Sequence, residues 1–467
     1  MERKKYLAKN TALFALNSIG IRIINFLLVP LYTNVLSTSQ YGEVDLVATI
    51  AVIIVPLITL NIGEAVMRFA LDENANIDSI VDIGCFFTLI SLLTGAIIFP
   101  LLYLFSSIKV SPVYVYLYCV TQGLFSTTSC VLRGEEKLFD YAICNILNTI
   151  LTAGFNILFL VVFHKGVPGY FLAYILAYIC ASIYAGIRGN IKRYLQSFHV
   201  DWKLSKKMVA YSIVLVPNSL MWWIMNSSDR IMVTSMIDIE ANGVYAISYK
   251  IPSAMAALST VFNQAWMYSA IHEENSKDSV EFNNKMLTLL SRFLFLTITF
   301  LLLILRPFLK IYVSENYYSA WEYTPYLLVG YYFMTIGTFL STSYTVHKDS
   351  KGFLISGTVG AITNIVMNYF LIPVMGVSGA ALATCISYIS VFIYRYFNIQ
   401  KYMKLSVFDR EKVGIYIYIV ILAVLEYLPH PWYLVSLGIG TIIAMIAERD
   451  MMKDIFAKMI AYFRFGH

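Results

Sequence analysis

Apolar blocks of about 20 residues recur along the whole chain, separated by short polar breaks, and no other feature of the sequence restricts the fold as much. A helix of about 20 residues rises about 30 Å, the thickness of the hydrocarbon core of a bilayer. A soluble chain would need more than a dozen long apolar helices with hardly any amphipathic ones. The expectation is an all-α polytopic membrane protein. Composition agrees: 59% of residues are hydrophobic and 13% charged, with a mean hydropathy of +0.69. The basic start MERKKYLAKN precedes an apolar stretch of about 25 residues, too long for a signal-peptide core and without a small-residue cleavage pattern. It reads as an uncleaved first span.

The chain reads as fourteen spans, this one included, at roughly 11–35, 43–70, 80–105, 111–132, 138–163, 168–188, 207–236, 243–270, 286–311, 320–346, 352–374, 377–398, 412–428 and 431–447. Of the 34 Lys and Arg, only Lys109, Lys165, Arg306 and Lys310 fall in loops on the far side, and Arg22, Arg230, Lys250 and Arg292 fall within spans. The rest share the side of the N-terminus, so both termini are placed in the cytoplasm. Topology then accounts for the net charge of +6 without nucleic acid as a partner. The longest internal hydrophilic stretch, 189–206, divides the main body into two groups of six spans. The expected division is an N-lobe at 1–190, a linker at 191–206, a C-lobe at 207–400, and a final helix pair with a tail at 401–467.

The two groups repeat one another. Gly166, Gly169, Ala173 and Tyr178 align with Gly376, Gly379, Ala383 and Tyr388 at a constant offset, and a two-residue length difference before the turn pairs Asn156 with Asn368. Six spans per repeat bring both halves back to the same side. The repeat is therefore parallel, about an axis along the membrane normal, a transporter pattern with its site between halves.

Charges inside spans are costly, so they are expected to face a bundle interior or a wet cavity. The densest stretch is 211–253, with Asn218, Asn226, Asp229, Arg230, a turn expected at Ala241-Asn242-Gly243, then Lys250 and Pro252. Asp229 and Arg230 are neighbours about 100° apart on a helix and should find different partners; each is as compatible with a packing lock as with a cargo contact. Lys250 reads as a cargo-facing cation or as a snorkelling one. Ser18, Arg22 and Asn25 share one face of the first span, with Arg22 lining a hydrated lumen or paired with a carboxylate such as Glu64. Glu43 and Asp45 near one end of the second span and Glu64 near the other are candidates for taking up a coupling ion, unless Glu64 pairs with Arg68 one turn on. Tyrosines at span ends, Tyr245 and Tyr249 beside Lys250 among them, read as interfacial-belt residues or as rings that stack against sugars.

Enzymatic signals are absent. No GxSxG, P-loop or zinc motif occurs, and the RGEEK loop at 133–137 reads as a helix-end turn. The six cysteines lie inside apolar segments without CxxC spacing, and the six histidines are scattered, so no metal, cofactor or disulfide is expected.

With these residues on the page, the chain resembles the Wzx-type polysaccharide biosynthesis flippases of the multidrug/oligosaccharidyl-lipid/polysaccharide exporter superfamily. The resemblance rests on NTALFALNSIGIRIINFLLVPLYTNVLSTSQYGEVDL, the Arg133-Gly134 step, NSSDR at 226–230, GVYAISYKI at 243–251 and GVSGAA at 376–381. It implies two six-helix lobes around a central cavity, alternating between inward- and outward-open forms. The implied cargo is an undecaprenyl-diphosphate-linked oligosaccharide moved to the external leaflet of a bacterial cytoplasmic membrane, driven by a proton or sodium gradient. Implied partners are the bilayer and other assembly proteins, such as a polymerase and a chain-length regulator, for O-antigen or capsule. By helix and depth, Arg22 and Lys250 correspond to the cationic residues of related lipid II flippases. Two other classes are a drug/cation antiporter of the same superfamily, which would favour intramembrane carboxylates, and a membrane polymerase or ligase, which would need a sizeable external loop.

Overall fold

Sixteen α-helices and no strand are found among the described residues of the computed structural model, which are 20–72, 75–104, 110–191, 199–272, 278–449 and 453. In order they are α1 (Gly20–Val35), α2 (Thr38–Ile58), α3 (Ile62–Ala70), α4 (Ile77–Leu104), α5 (Pro112–Gly134), α6 (Leu138–Asn156), α7 (Gly166–Arg188) and α8 (Trp202–Met236). Then come α9 (Ile239–Ser248), α10 (Lys250–His272), α11 (Ser279–Tyr312), α12 (Thr324–Val346), α13 (Ser350–Met375), α14 (Val377–Ile399), α15 (Arg410–Leu425) and α16 (Trp432–Ala447). A π-helical segment, Ile157–Val162, extends α6, and a 3-10 segment, Glu315–Glu322, precedes α12. Eight of the helices are long and apolar enough to cross a membrane. Bare apolar side chains such as Leu93, Val214, Ile362 and Val374 stand on the outside, the reverse of a water-soluble surface.

Local chemistry sets the helix starts. Ser37 and Gln40 form a capping box on α2, with the Ser37 hydroxyl accepting from Gln40 N–H and the Gln40 side chain accepting from Ser37 N–H. Asp201, Asp349 and Asp409 cap α8, α13 and α15. Each such cap contributes about 1 kcal/mol. The Asp201 cap starts α8 five residues before the 207 expected from hydropathy, because a capped polar turn continues the helix beyond the apolar run.

The helices gather into two compact units, Met1–Ala246 and Ile247–His467. In the first, α3 is the packing centre. Ile62, Ala65, Val66 and Ala70 meet Ile80, Val81 and Ile83 of α4, Val131 of α5 and Met208 of α8 in one buried cluster. Lipid is as apolar as these side chains, so close packing rather than water exclusion holds them. Gly63 on Thr127 and Gly84 on Val66 supply the close approach.

The second expected span is broken. Leu60 and Asn61, between α2 and α3, have left-handed φ values of 49° and 54°, a conformation that costs about 1–2 kcal/mol for a residue with a Cβ. Pro56 begins the disruption by withholding an N–H from the helix. The eighth span is interrupted too, at Tyr249, just ahead of Pro252.

In the second unit α14 packs between α12 and α13. Arg395 of α14 is buried; its Nε donates to Ser356 Oγ (3.0 Å) and its Nη1 to the Gly337 carbonyl (2.9 Å), stapling the three helices together. The α15–α16 hairpin is fastened to α11 at two levels. Arg292 reaches Glu411 (2.6 Å) and Glu448 (3.6 Å). About 21 Å along the same helix, Arg306 meets the buried Glu426 (3.2 Å) and lies between the rings of Trp321 and Tyr433. Arg306, counted among the four far-side cations, lies inside a helix of 34 residues that runs on to Tyr312.

Candidate functional site: a polar seam on the second helix

Thr38, Gly42, Asp45 and Thr49 recur at helical spacing on one face of α2. That face meets the corner where α8 turns into α9. Arg230 Nη1 donates to Asp45 Oδ1 at 2.6 Å and reaches Thr49 Oγ1 at 3.5 Å. Asn242 Nδ2 donates to the Gly42 carbonyl at 3.0 Å and approaches Asp45 Oδ2 at 3.5 Å, and Thr38 Oγ1 donates to Glu240 at 2.9 Å. Deeper along the seam, the Trp223 indole donates to the Thr49 carbonyl at 2.7 Å. Two glycines permit this closeness: a Cβ on Gly42 would overlap the Ile239 carbonyl, and one on Gly243 the Thr38 carbonyl.

Asp45 is 8% exposed and pairs with Arg230. Removing Arg230 takes the ion-pair partner from a buried carboxylate, a loss of about 3–5 kcal/mol in comparable pairs. Asp229 has a different partner, as adjacent positions on a helix require: Tyr245 donates to its Oδ2 at 2.6 Å, and both residues are buried. The turn expected at Ala241-Asn242-Gly243 is helical. The chain reverses earlier, at Ile237-Asp238, because the Asp238 carboxylate accepts Ala241 N–H (2.7 Å) and starts α9 there. Asn242 and Gly243 are thereby freed to face α2.

The seam joins Asp45 and Arg230, two of the residues singled out in the sequence. The others are dispersed. Arg22 and Asn25 are exposed on α1, and Ser18 lies outside the described residues. The Asn218 side chain also lies outside them, and Asn226 is half-buried one turn before Arg230. Glu43 is half-buried, with one carboxylate oxygen buried and lacking a hydrogen bond. Glu64 is half-buried in α3; Arg68 does not pair with it but with Asp72, at 2.5 Å. Lys250 is half-buried and opens α10 directly after the Tyr249 interruption. Tyr245 and Tyr249 are buried, which removes the stacking role expected of them. The Tyr249 hydroxyl donates to Thr384, which also receives Asn364 Nδ2 (3.2 Å), while Asn368 Nδ2 donates to Asn364 (2.9 Å). This polar ladder is internal to the second unit.

The sequence reading missed Thr38, Gly42, Thr49, Trp223, Glu240 and Asn242. A small or polar residue at 38, 42, 45 and 49 in an otherwise apolar helix is the signal that was there to be found.

Residues 7–268 match the model of a family described as "polysaccharide biosynthesis protein". No curated protein matches the chain. Among solved structures, an inward-facing multidrug resistance MATE family transporter of the MOP superfamily is 13% identical, with a TM-score of 0.67 over 83% of this chain and 97% of its own. The lipid II flippase MurJ, in an inward closed conformation, is 15% identical, with a TM-score of 0.66 over 94% and 100%. A MOP superfamily transporter from Pyrococcus furiosus, described as having a binding pocket of reverse polarity, is 14% identical, with a TM-score of 0.59 over 85% and 96%. At these identities the likeness establishes the fold, that of two-lobed membrane transporters.

Proposed function

The chain belongs to the polysaccharide biosynthesis protein family, and from that premise we propose that it is a flippase carrying an undecaprenyl-diphosphate-linked oligosaccharide from the cytoplasmic to the external leaflet by alternating access. The moving parts are two lobes, 1–190 and 207–400, joined by the linker 191–206, with residues 401–467 as an accessory helix pair and tail. The protein sits in a bacterial cytoplasmic membrane with both termini inside, and serves a surface polysaccharide alongside a polymerase and a chain-length regulator.

Arg22 is the observation that carries the cargo. It is exposed on an apolar helix, about 20 Å from the Val35 end, with Asn25 on the same face. A guanidinium at that depth is retained only where it has an anion or water to meet, and a diphosphate crossing hydrocarbon needs its own hydration replaced. Arg22 and Lys250 are each assigned to the diphosphate, and Asn25, Asn218 and Asn226 to the polar surroundings of the sugars. Arg230 is assigned a different part. Paired with Asp45, it acts as a latch at the external end of α2, and Asp45 is one of the carboxylates proposed for ion uptake. Asp229, held by Tyr245, orients the Arg230 turn. Glu43 and Glu64 are the remaining carboxylates for ion uptake.

The test is binding by purified protein in detergent of undecaprenyl-diphosphate-oligosaccharide and of a cationic dye, with Arg22→Ala and Lys250→Ala alongside. Lipid binding that falls at least about tenfold in each variant, a loss of about 1.4 kcal/mol, is expected. Dye binding with indifference to the lipid would replace the flippase reading with a drug/cation antiporter.

A further inference from the structure

The seam between α2 and α8 changes character halfway along, and each helix carries a proline near that level, Pro56 in α2 and Pro217 in α8. Val52, Ile53 and Pro56 of α2 face Val216 and Leu220 of α8 across a gap too narrow for a water, and Pro217 follows Val216 directly. A proline leaves the carbonyl four residues before it without its helical N–H. Val52 and Ile213 are those residues, so both helices lose a hydrogen bond close to the same gap. Just past Pro56 the α2 ladder fails. Leu60 N–H reaches only the Leu57 carbonyl (3.4 Å), Asn61 N–H reaches back to Pro56 (3.0 Å), and both residues are left-handed.

On the Thr38 side of this level the seam is polar and directional, made of the Arg230–Asp45, Asn242–Gly42 and Thr38–Glu240 contacts. Such contacts can be exchanged for water or for other partners. On the Ala70 side it is apolar and interlocked: Phe69 packs edge-to-face on Tyr211 at 5.9 Å, and Met208 sits in one buried cluster with Ile62, Val66 and Ala70. A close-packed core of that kind does not slide by small steps. Strained backbone between a releasable half and a fixed half has the form of a joint, since hinges concentrate large dihedral changes in a few residues.

We propose that Pro56–Asn61 and Pro217 form one paired hinge, about which the Thr38 half of α2 and the Met236 half of α8 swing apart while the Ala70 half of the seam stays fixed. The hinge rests on the transport reading only in that a cycle requires a second position; it does not depend on which cargo is moved.

The experiment is pulsed electron–electron resonance on the full chain in liposomes, with the six free cysteines replaced. One spin-label pair, at Gln40→Cys and Met236→Cys, spans the Thr38 half; a second, at Arg68→Cys and Lys207→Cys, spans the fixed half. The first pair should show two distances, the longer by about 5 Å or more, roughly one helical turn, and the second pair a single distance. Pro56→Ala with Pro217→Ala should collapse the first pair to its short distance without altering the second pair or the monodispersity of the protein. A single distance across the first pair, parallel movement of both pairs, or two surviving distances after the proline replacements would each overturn the hinge. Adding undecaprenyl diphosphate separates the two readings. Populations that ignore it would leave the hinge standing and count against the cargo.

Discussion

Gly166 and Gly376 each turn one helix into the next with left-handed φ values of 56° and 60°, and each is followed three residues later by a glycine that brings two helices together. Ala173 and Ala383 are buried at matching positions, as are Tyr178 and Tyr388, and Asn156 and Asn368. The α6–α7 and α13–α14 hairpins thus have the same frame. Their interiors differ. The first carries two more residues between its asparagine and its turn and absorbs them in the π-helical segment Ile157–Val162. The second has no such widening, and it holds the Asn364–Asn368–Thr384 ladder and Arg395, where the first has Ala185 at the corresponding place. A repeat preserves the small residues that fix backbone approach, while the polar interior is free to diverge.

The sharpest way to break that comparison is at the paired glycines. A Cβ on Gly379 would overlap the backbone of Leu371, which has nowhere to go within a regular helix. A Cβ on Gly169 meets the side chains of Lys165 and Phe159 and the Phe159 carbonyl at 2.8–3.2 Å, where the widened π-turn has room to adjust. Gly379→Ala should cost roughly 3 kcal/mol or more, or abolish folded protein, and Gly169→Ala about 1 kcal/mol. Thermal unfolding in detergent would show it. Equal losses would mean that the π-segment gives no slack.

Arg395 tests the interiors. Truncation to alanine opens a cavity and removes the donors to Ser356 and Gly337, an expected loss of about 2–3 kcal/mol. Methionine fills the same volume and relieves the desolvation of a buried charge, so Arg395→Met should recover more than half of that loss in the same unfolding measurement. If methionine proves as damaging as alanine, the two hydrogen bonds rather than packing hold α12, α13 and α14 together.

The frame was legible in the sequence because its signals are local. Apolar runs give the helices, and the Gly166/Gly376 and Asn156/Asn368 pairs give the repeat together with its two-residue insertion. The form taken by the insertion was not legible, since a π-turn differs from an α-turn in the register of its hydrogen bonds and not in composition. Charges within spans stood out individually, but Asp45 and Arg230 are 185 residues apart and their pairing is decided by tertiary packing. The break at Leu60–Asn61 was hidden for a similar reason: a leucine in left-handed backbone has no compositional mark, and Pro56 alone reads as an ordinary membrane proline. Arg68 shows the limit of helical spacing: the sequence reading paired it with Glu64 one turn before, and it pairs with Asp72 one turn after.

The smallest expected effect concerns the polar clamps near the far ends of the two hairpins. In the first, Arg188 and Tyr184 both donate to the Asp140 carboxylate. In the second, Asp349 caps α13 by accepting from Gly352 N–H and also receives Tyr402 and Lys401, which together hold its carboxyl at about 2, below its ordinary value of 3.8. A carboxylate held low stabilises the folded state fully above its ordinary value and loses that contribution as pH falls towards 2. The melting-temperature gap between the native chain and Asp349→Ala should therefore be flat from pH 7 to about pH 5 and shrink steadily below about pH 4. Asp349→Asn keeps the cap but not the charge, so its gap should be the smaller of the two at neutral pH. A gap for Asp349→Ala that ignores pH would mean that the cap alone matters, and that the second clamp, unlike the first with its Arg188 fork, does not depend on charge.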